Sequence, residues 1–356
     1  MTVIPGFNAV GEYLYVVDTS TLRICPYAPG HAVVFGHFQE KTPVLGANGI
    51  YTLSVPICPR TILGRIVKEA KENHGVEFLV GVETEFILLE SVNPIVPANP
   101  HVWCDSMATA TGTVVTKVIE EIAEALLDAG IDLHMYHSEA TAGQYEIITG
   151  PLPPLEAADA LVHTRETIYN IANKHGLRAT LAPRLDSHSC GSSSHAHISI
   201  HGGSMADGIW AGGTYVAWGV DNREVPVRLC NATSPSSRNF EVKTVDGTAN
   251  PYVALAGLLG AGMTGVQKGC EVQLKNCIGA KTAAQMSDEE RSDMGITTRI
   301  PLSLDEARAS LNEDLEMRGT LGDVVVDTFL SLNEIMEQEM GAGSEEEVLT
   351  RLVSTY

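Results

Sequence analysis

Positive charge is scarce in this chain. Lysine and arginine number 23 against 44 aspartates and glutamates, a formal net charge of −21. That balance argues against a general nucleic-acid surface or an anionic-membrane surface. Paired cysteine motifs are missing too. Seven cysteines (Cys25, Cys58, Cys104, Cys190, Cys230, Cys270 and Cys277) form no C-x-x-C, and their count is odd. Reduced thiols in a cytoplasmic protein are the simplest reading. The opening MTVIPGFNAV has no basic region followed by an apolar core, so a signal peptide is not expected. Long apolar runs are also lacking. The longest, Tyr252 to Val266, is too short and too glycine-rich to span a bilayer. Its spaced Gly and Ala residues suit a tightly packed internal helix. There is no internal repeat and no low-complexity segment.

What is present describes an ordinary globular protein. The chain has 356 residues, 44% hydrophobic and 19% charged, enough for a large core and for two domains. Residues 12–17 and 31–38 read as strands around a Pro/Gly loop. A helix is expected over 61–73, behind Pro59, then a strand over 77–89 and a loop over 91–112. Helical periodicity returns over 113–129 and 155–175, with strands at 132–138 and 144–149 between them. The middle turns to β, with candidate strands at 178–183, 195–201, 214–218, 225–230 and 238–244. Pro251 starts the apolar helix. Capping-box spacing at Ser303-x-x-Glu306 and Ser344-x-x-Glu347 starts two outer helices, with another over 320–340. Strands and helices do not alternate strictly, so the expected class is α+β, an antiparallel sheet with helices packed outside.

Two stretches place metal-type ligands two residues apart on expected strands: Glu83-x-Glu85 and His195-x-His197. Side chains alternate across a strand, so each pair shares a face. Carboxylates aimed inward from a sheet repel one another and are costly to desolvate without a cation between them. A hard divalent ion with oxygen ligands resolves that conflict. Each feature also has a plainer reading. E-x-E is commonly a solvated face, and paired histidines can simply be hydrogen-bonded. Glu139 and Glu146 can flank an ordinary turn. Glu241 with Lys243, and Arg223 with Arg228, can be surface charges worth little.

The order of the pieces carries more. GVETEF, HSEATAGQYE, GSSSHAHIS, YVAWGVDNREVPVR and FEVKTVDGTANPYVALAGLL follow one another as in the glutamine synthetase family, which the chain resembles from about residue 10 to Tyr356. HSE…GQYE and EVKTVDGTANPY are nearest to its FluG-like fungal branch. The resemblance implies a glutamine synthetase catalytic domain, a curved antiparallel sheet with outer helices, over residues 46–356. A partial β-grasp domain over 1–45 precedes it. It implies two divalent ions, Mg2+ or Mn2+, with ATP as co-substrate. Glu85, Glu139 and Glu146 match the metal site on the amino-acid side, and Glu83, His195 and Glu241 the one that holds the nucleotide phosphates. Arg223 and Arg228 match arginines on the phosphates and the transferred group, so Arg223 and Glu241 are the catalytic candidates. His197 and Ser199 match positions near ATP. Gly191 and Lys243 match contacts to the substrate carboxylate.

The implied activity is that of an ATP-dependent carboxylate–amine ligase. A glutamate-like carboxylate becomes an acyl phosphate and is amidated by ammonia or an amine. The alternative is a catalytically impaired homologue with a structural or regulatory role. A metal hydrolase built on His-x-His leaves the arginines unexplained and lacks the usual three-ligand zinc pattern. The chain departs from the family in four places. The Asp-Gly-Ser-Ser type motif of the N-terminal domain is missing. Residues 202–213 replace several dozen residues that include a substrate-binding arginine. Ala211 falls roughly where ammonia-using enzymes carry a flap glutamate, and Lys243 replaces an arginine. The resemblance further implies a cytoplasmic homo-oligomer with no nucleic-acid or membrane partner.

Overall fold

The computed structural model describes residues 4, 11–46, 49–185, 190–201, 214–279 and 281–356. It opens with β1 (Leu14–Val17), β2 (Arg23–Ile24), β3 (Ala32–Val33), β4 (Gly36–Leu45) and β5 (Tyr51–Ser54). Strands β1, β4 and β5 make a small antiparallel sheet, and β2 pairs with β3. The single strand expected over 31–38 is therefore two, because the chain pairs first with β2 and then with β1. The proposed domain division at residues 45 and 46 falls between β4 and β5, inside the small sheet.

Helix α1 (Pro59–His74) starts on a proline, whose missing N–H costs nothing in a first turn. Next come β6 (Glu77–Val92), β7 (Ile95–Pro97), α2 (Val114–Asp128), β8 (Leu133–Ser138), β9 (Gln144–Leu152), α3 (Pro154–Lys174) and β10 (Arg178–Thr180). The span expected as loop thus contains β7, which folds back on the end of β6. Then follow β11 (Ala196–His201), β12 (Trp218–Val220), β13 (Val227–Cys230), β14 (Asn239–Val242) and α4 (Pro251–Lys268). The outer helices are α5 (Asp288–Asp293), α6 (Leu304–Glu313), α7 (Leu315–Leu321), α8 (Asp323–Met340) and α9 (Glu345–Thr355).

The main sheet has the order β12-β13-β14-β11-β6-β9-β8, with β7 and β10 also pairing to β6. It is antiparallel except for β12 and β13, which run parallel. The fold is α+β as expected, with that one correction to the sheet. The strand expected over 214–218 is also shorter: only Trp218 joins β12, while Tyr215 makes a lone bridge to Arg299. The helix expected over 320–340 breaks at Gly322, between α7 and α8. Ser344 forms a complete capping box. At Ser303 the Glu306 carboxylate accepts from Leu302 N instead of the cap residue, so only half the box is made.

Strand β6 is the spine. Its inner-face residues Phe78, Val80 and Val82 pack with α1, α3 and α4 into one core cluster. Phe86 and Leu88 join α2 and α3 in a second. Helix α4 lies close to its neighbours, as its small residues predict: a Cβ on Gly260 would sit 2.5 Å from Thr320 Cγ2. No helix among the described residues is long and apolar enough to cross a membrane. A buried ion network ties the small sheet to the helices. Arg60 on α1 holds Asp159 of α3 at 2.9 Å and Asp18, just past β1, at 3.0 Å. The Tyr252 hydroxyl of α4 donates to Asp159 at 2.5 Å.

Candidate active site

The outer face of the main sheet gathers charge from six neighbouring strands. Register sets the row. Arg228 of β13 lies opposite Glu241 of β14, which lies opposite His197 of β11. On the other side of β6, Glu85 lies opposite Glu146 of β9, and Glu146 opposite His137 of β8. Glu83 bridges the halves. Its carboxylate takes His195 Nδ1 at 2.7 Å on one oxygen and His197 Nε2 at 2.8 Å on the other. The two pairs, each expected to share a face of its own strand, thus meet through Glu83. The turn from β8 to β9 needs Gly143. Its φ is +72°, and an added Cβ would sit 2.7 Å from Leu88 O, so a side chain there would be strained and clash.

Hydrogen bonds fix each group. Ser193 donates to Glu85 through its hydroxyl at 3.0 Å and its backbone N–H at 3.1 Å. Gln144 adds a third donor to Glu85 at 3.0 Å. His195 Nε2 meets Ser193 Oγ at 2.8 Å. His197 Nδ1 meets Asn239 Oδ1 at 2.8 Å. Glu241, only 3% exposed, is surrounded by basic side chains: Arg228 in direct contact, Lys243 at 3.5 Å and the His195 imidazole at 3.5 Å.

The electrostatics divide the carboxylates. Burial opposes ionisation of Glu83, but hydrogen bonds from His195 and His197 hold it well below the usual range. Burial also opposes charge on His197, yet hydrogen bonds with Cys230 and Glu83 raise it to about 10. Glu146 goes the other way. Burial first, then the charges of Glu83, Glu85 and Glu139, push it up to about 9. Glu85 is also raised, by burial above all and by Glu139. The charges of Glu85 and Glu139 oppose ionisation of buried Glu146, and a divalent cation among them would relieve that conflict. Among the described residues, three trios have donor atoms within 4.8 Å of one another: Glu83, His197 and Glu241; Glu83, Glu146 and His195; His137, Glu139 and Glu146.

Five of the six expected metal residues fall in those trios. Glu85 stands beside them, its oxygens occupied by Ser193 and Gln144. Arg228 and Lys243 reach the cluster. Arg223 sits in the exposed turn before β13, its carbonyl accepting from Lys243 at 2.9 Å; its guanidinium makes no ion pair among the described residues. Ser199 pairs with His201 at 3.0 Å, further along β11. Gly191 is exposed and offers its carbonyl to Gln144 at 3.3 Å. Ala211 and the 202–213 connection lie outside the described residues. Sequence reasoning missed His137, Gln144, Ser193 and Asn239. His137 had a signal, since it stands two residues before Glu139 in the HSE motif.

Comparison with known proteins places this geometry. The model of the glutamine synthetase catalytic domain matches residues 56–206 and 204–348. Protein fluG of Emericella nidulans is 33% identical over 99% of this chain, which spans 43% of that longer protein. Gamma-glutamylpolyamine synthetase GlnA3 of Streptomyces coelicolor is 29% identical, over 78% of this chain and 68% of its own length. A crystal structure described as a novel glutamine synthase homolog superposes with a TM-score of 0.75 at 21% identity, covering 98% of this chain and 86% of its own. The chain belongs to the glutamine synthetase family.

Proposed function

We propose that the chain is an ATP-dependent carboxylate–amine ligase acting on a glutamate-like carboxylate. One observation carries this reading: a buried carboxylate–imidazole cluster and the cations Arg228 and Lys243 share one row of the sheet. Phosphoryl transfer to a carboxylate brings two anions together, and catalysis there is mostly positioning and charge neutralisation. A metal hydrolase built on His-x-His leaves those cations unexplained.

Glu83, His195 and Glu241 would hold a divalent ion, Mg2+ or Mn2+, on the nucleotide side. Glu139 and Glu146, with Glu85 behind them, would hold one on the carboxylate side. Bound there, such ions neutralise phosphate oxygens and the attacking carboxylate. Arg228 and Arg223 stabilise the transferred phosphoryl group. His197 and Ser199 lie toward the nucleotide, and Lys243 and Gly191 toward the substrate carboxylate. The carboxylate oxygen bonds to the γ-phosphorus as ADP leaves. The amine nitrogen then attacks the acyl carbon, phosphate leaves, and one proton departs from nitrogen. Water must be kept from the acyl phosphate. The same reading carries a cytoplasmic homo-oligomer.

The amine is expected to be larger than ammonia, since Ala211 replaces a flap glutamate. The test uses purified chain with Mg2+ or Mn2+, ATP, glutamate and either ammonium or a panel of organic amines. ADP release and the amide product are both measured. Glutamine formation should be very weak, and one organic amine should stimulate ATP cleavage. Ammonium turnover of about 1–10 per second would refute the larger amine. ATP cleavage that no carboxylate–amine pair stimulates would favour the second reading, a structural or regulatory homologue, for which the short 202–213 connection speaks.

A further inference from the structure

We propose that His137 is itself a cation ligand, and that it biases the outer-edge site toward Mn2+ over Mg2+. This rests on the divalent-cation reading above and goes beyond it. The resemblance groups Glu85 with Glu139 and Glu146. The geometry groups His137 with them instead: donor atoms of His137, Glu139 and Glu146 all lie within 4.8 Å of one another. One ion about 2.2 Å from each donor bridges atoms up to about 4.4 Å apart, which covers the 3.0 and 3.5 Å separations of His137 from Glu146 and Glu139. Glu85 is turned to other partners, with both carboxylate oxygens accepting hydrogen bonds from Ser193 and one of them from Gln144 as well.

The imidazole is set up as a ligand. His137 Nδ1 lies 3.1 Å from Ser138 O. A carbonyl only accepts, so Nδ1 is the nitrogen that donates there, which leaves Nε2 as the one turned to the Glu146 carboxylate. Metal-binding histidines characteristically donate their other N–H in this way, often to a backbone carbonyl. Nε2 lies 3.0 Å from Glu146 Oε1, and Nδ1 3.5 Å from Glu139 Oε1. Two donor atoms at 3.0 Å can share one proton when no ion is bound and one cation when an ion displaces that proton. The ring is about a third exposed, so the ion can reach it from solvent. Mg2+ demands near-ideal octahedra, is held by oxygen donors and sheds water reluctantly, so of the two ions Mn2+, a first-row transition metal, accepts an imidazole nitrogen more readily.

Free Mn2+ is followed by electron paramagnetic resonance during titration of the full chain, with Mg2+ as competitor and circular dichroism to check folding. His137→Gln should weaken one class of Mn2+ site about ten- to a hundredfold and shrink the Mn2+/Mg2+ preference. His137→Asp replaces nitrogen by an oxygen donor; it should restore binding while moving the preference toward Mg2+. A wild-type chain that binds no Mn2+ would remove the cation reading as a whole. A wild-type chain that binds Mn2+, with affinity and preference unchanged in His137→Gln, would overturn the role of His137 alone.

Discussion

Buried titratable side chains divide into those given partners and those left without. Glu83 has an imidazole on each oxygen and stays ionised. His163 on α3 is the opposite case. It is 1% exposed, and neither ring nitrogen has a hydrogen-bond partner. Burial, and then the positive charge of Arg23, push it from 6.5 down to about 4. The unfolded chain therefore binds this proton at a higher pH than the folded one does. Between pH 6.5 and 4 the unfolded state holds more protons, so stability falls as acid is added, by about 1.4 kcal/mol per pH unit and about 3 kcal/mol in all. Above pH 6.5 the contribution is complete and flat. Urea unfolding at pH 5 and pH 7.5 measures the loss. His163→Leu removes no hydrogen bond and should flatten that part of the slope. An unchanged pH dependence in the variant would rule out this histidine as its source.

At the scale of elements, the joint between the small sheet and the helices is where burial ranks the partners. Asp159 is 3% exposed, Arg60 10% and Asp18 36%. Removing one member of a buried pair strands the other charge, at a cost of about 3–5 kcal/mol. Half-exposed ion pairs contribute about 1 kcal/mol or less. Asp159→Ala should therefore cost about 3 kcal/mol or more in urea unfolding, and it also takes the acceptor from Tyr252. Asp18→Asn, which keeps a cap for the turn at Ser20, should cost below about 1 kcal/mol. Equal losses in the two variants would mean that burial does not decide the network. The elements themselves were largely legible, because α1, α2, α3 and α4 have clear periodicity and capping signals. The misreadings fall where the partner decides. Residues 31–38 split because two different strands claim them. The parallel pairing of β12 with β13 is a relation between segments, and no local pattern encodes it.

Across the whole molecule the excess of acid sets the conditions of use. A formal charge of −21 repels itself in the folded state, and dissolved salt screens exposed charges over about 10 Å at 0.1 M. Buried pairs such as Arg60 with Asp159 are screened far less. The melting temperature should therefore rise by a few degrees between about 0.02 and 0.5 M NaCl. A fall would mean that surface ion pairs outweigh the net repulsion.

By itself the sequence determined the family, the α+β class and which short motifs hold the paired carboxylates and imidazoles. Strand alternation alone puts Glu83 with Glu85 and His195 with His197 on common faces, since that period is local. The tertiary structure decided who meets whom. Glu146 faces His137 only because of the register between β8 and β9. Glu85 has its oxygens held by Ser193 and Gln144, which are distant from it in sequence. Arg228 touches Glu241 because β13 lies beside β14. Period and composition are properties of a segment, whereas register and hydrogen-bond competition are properties of segments brought together, so the chain carried the candidate ligands openly and their grouping only in the fold.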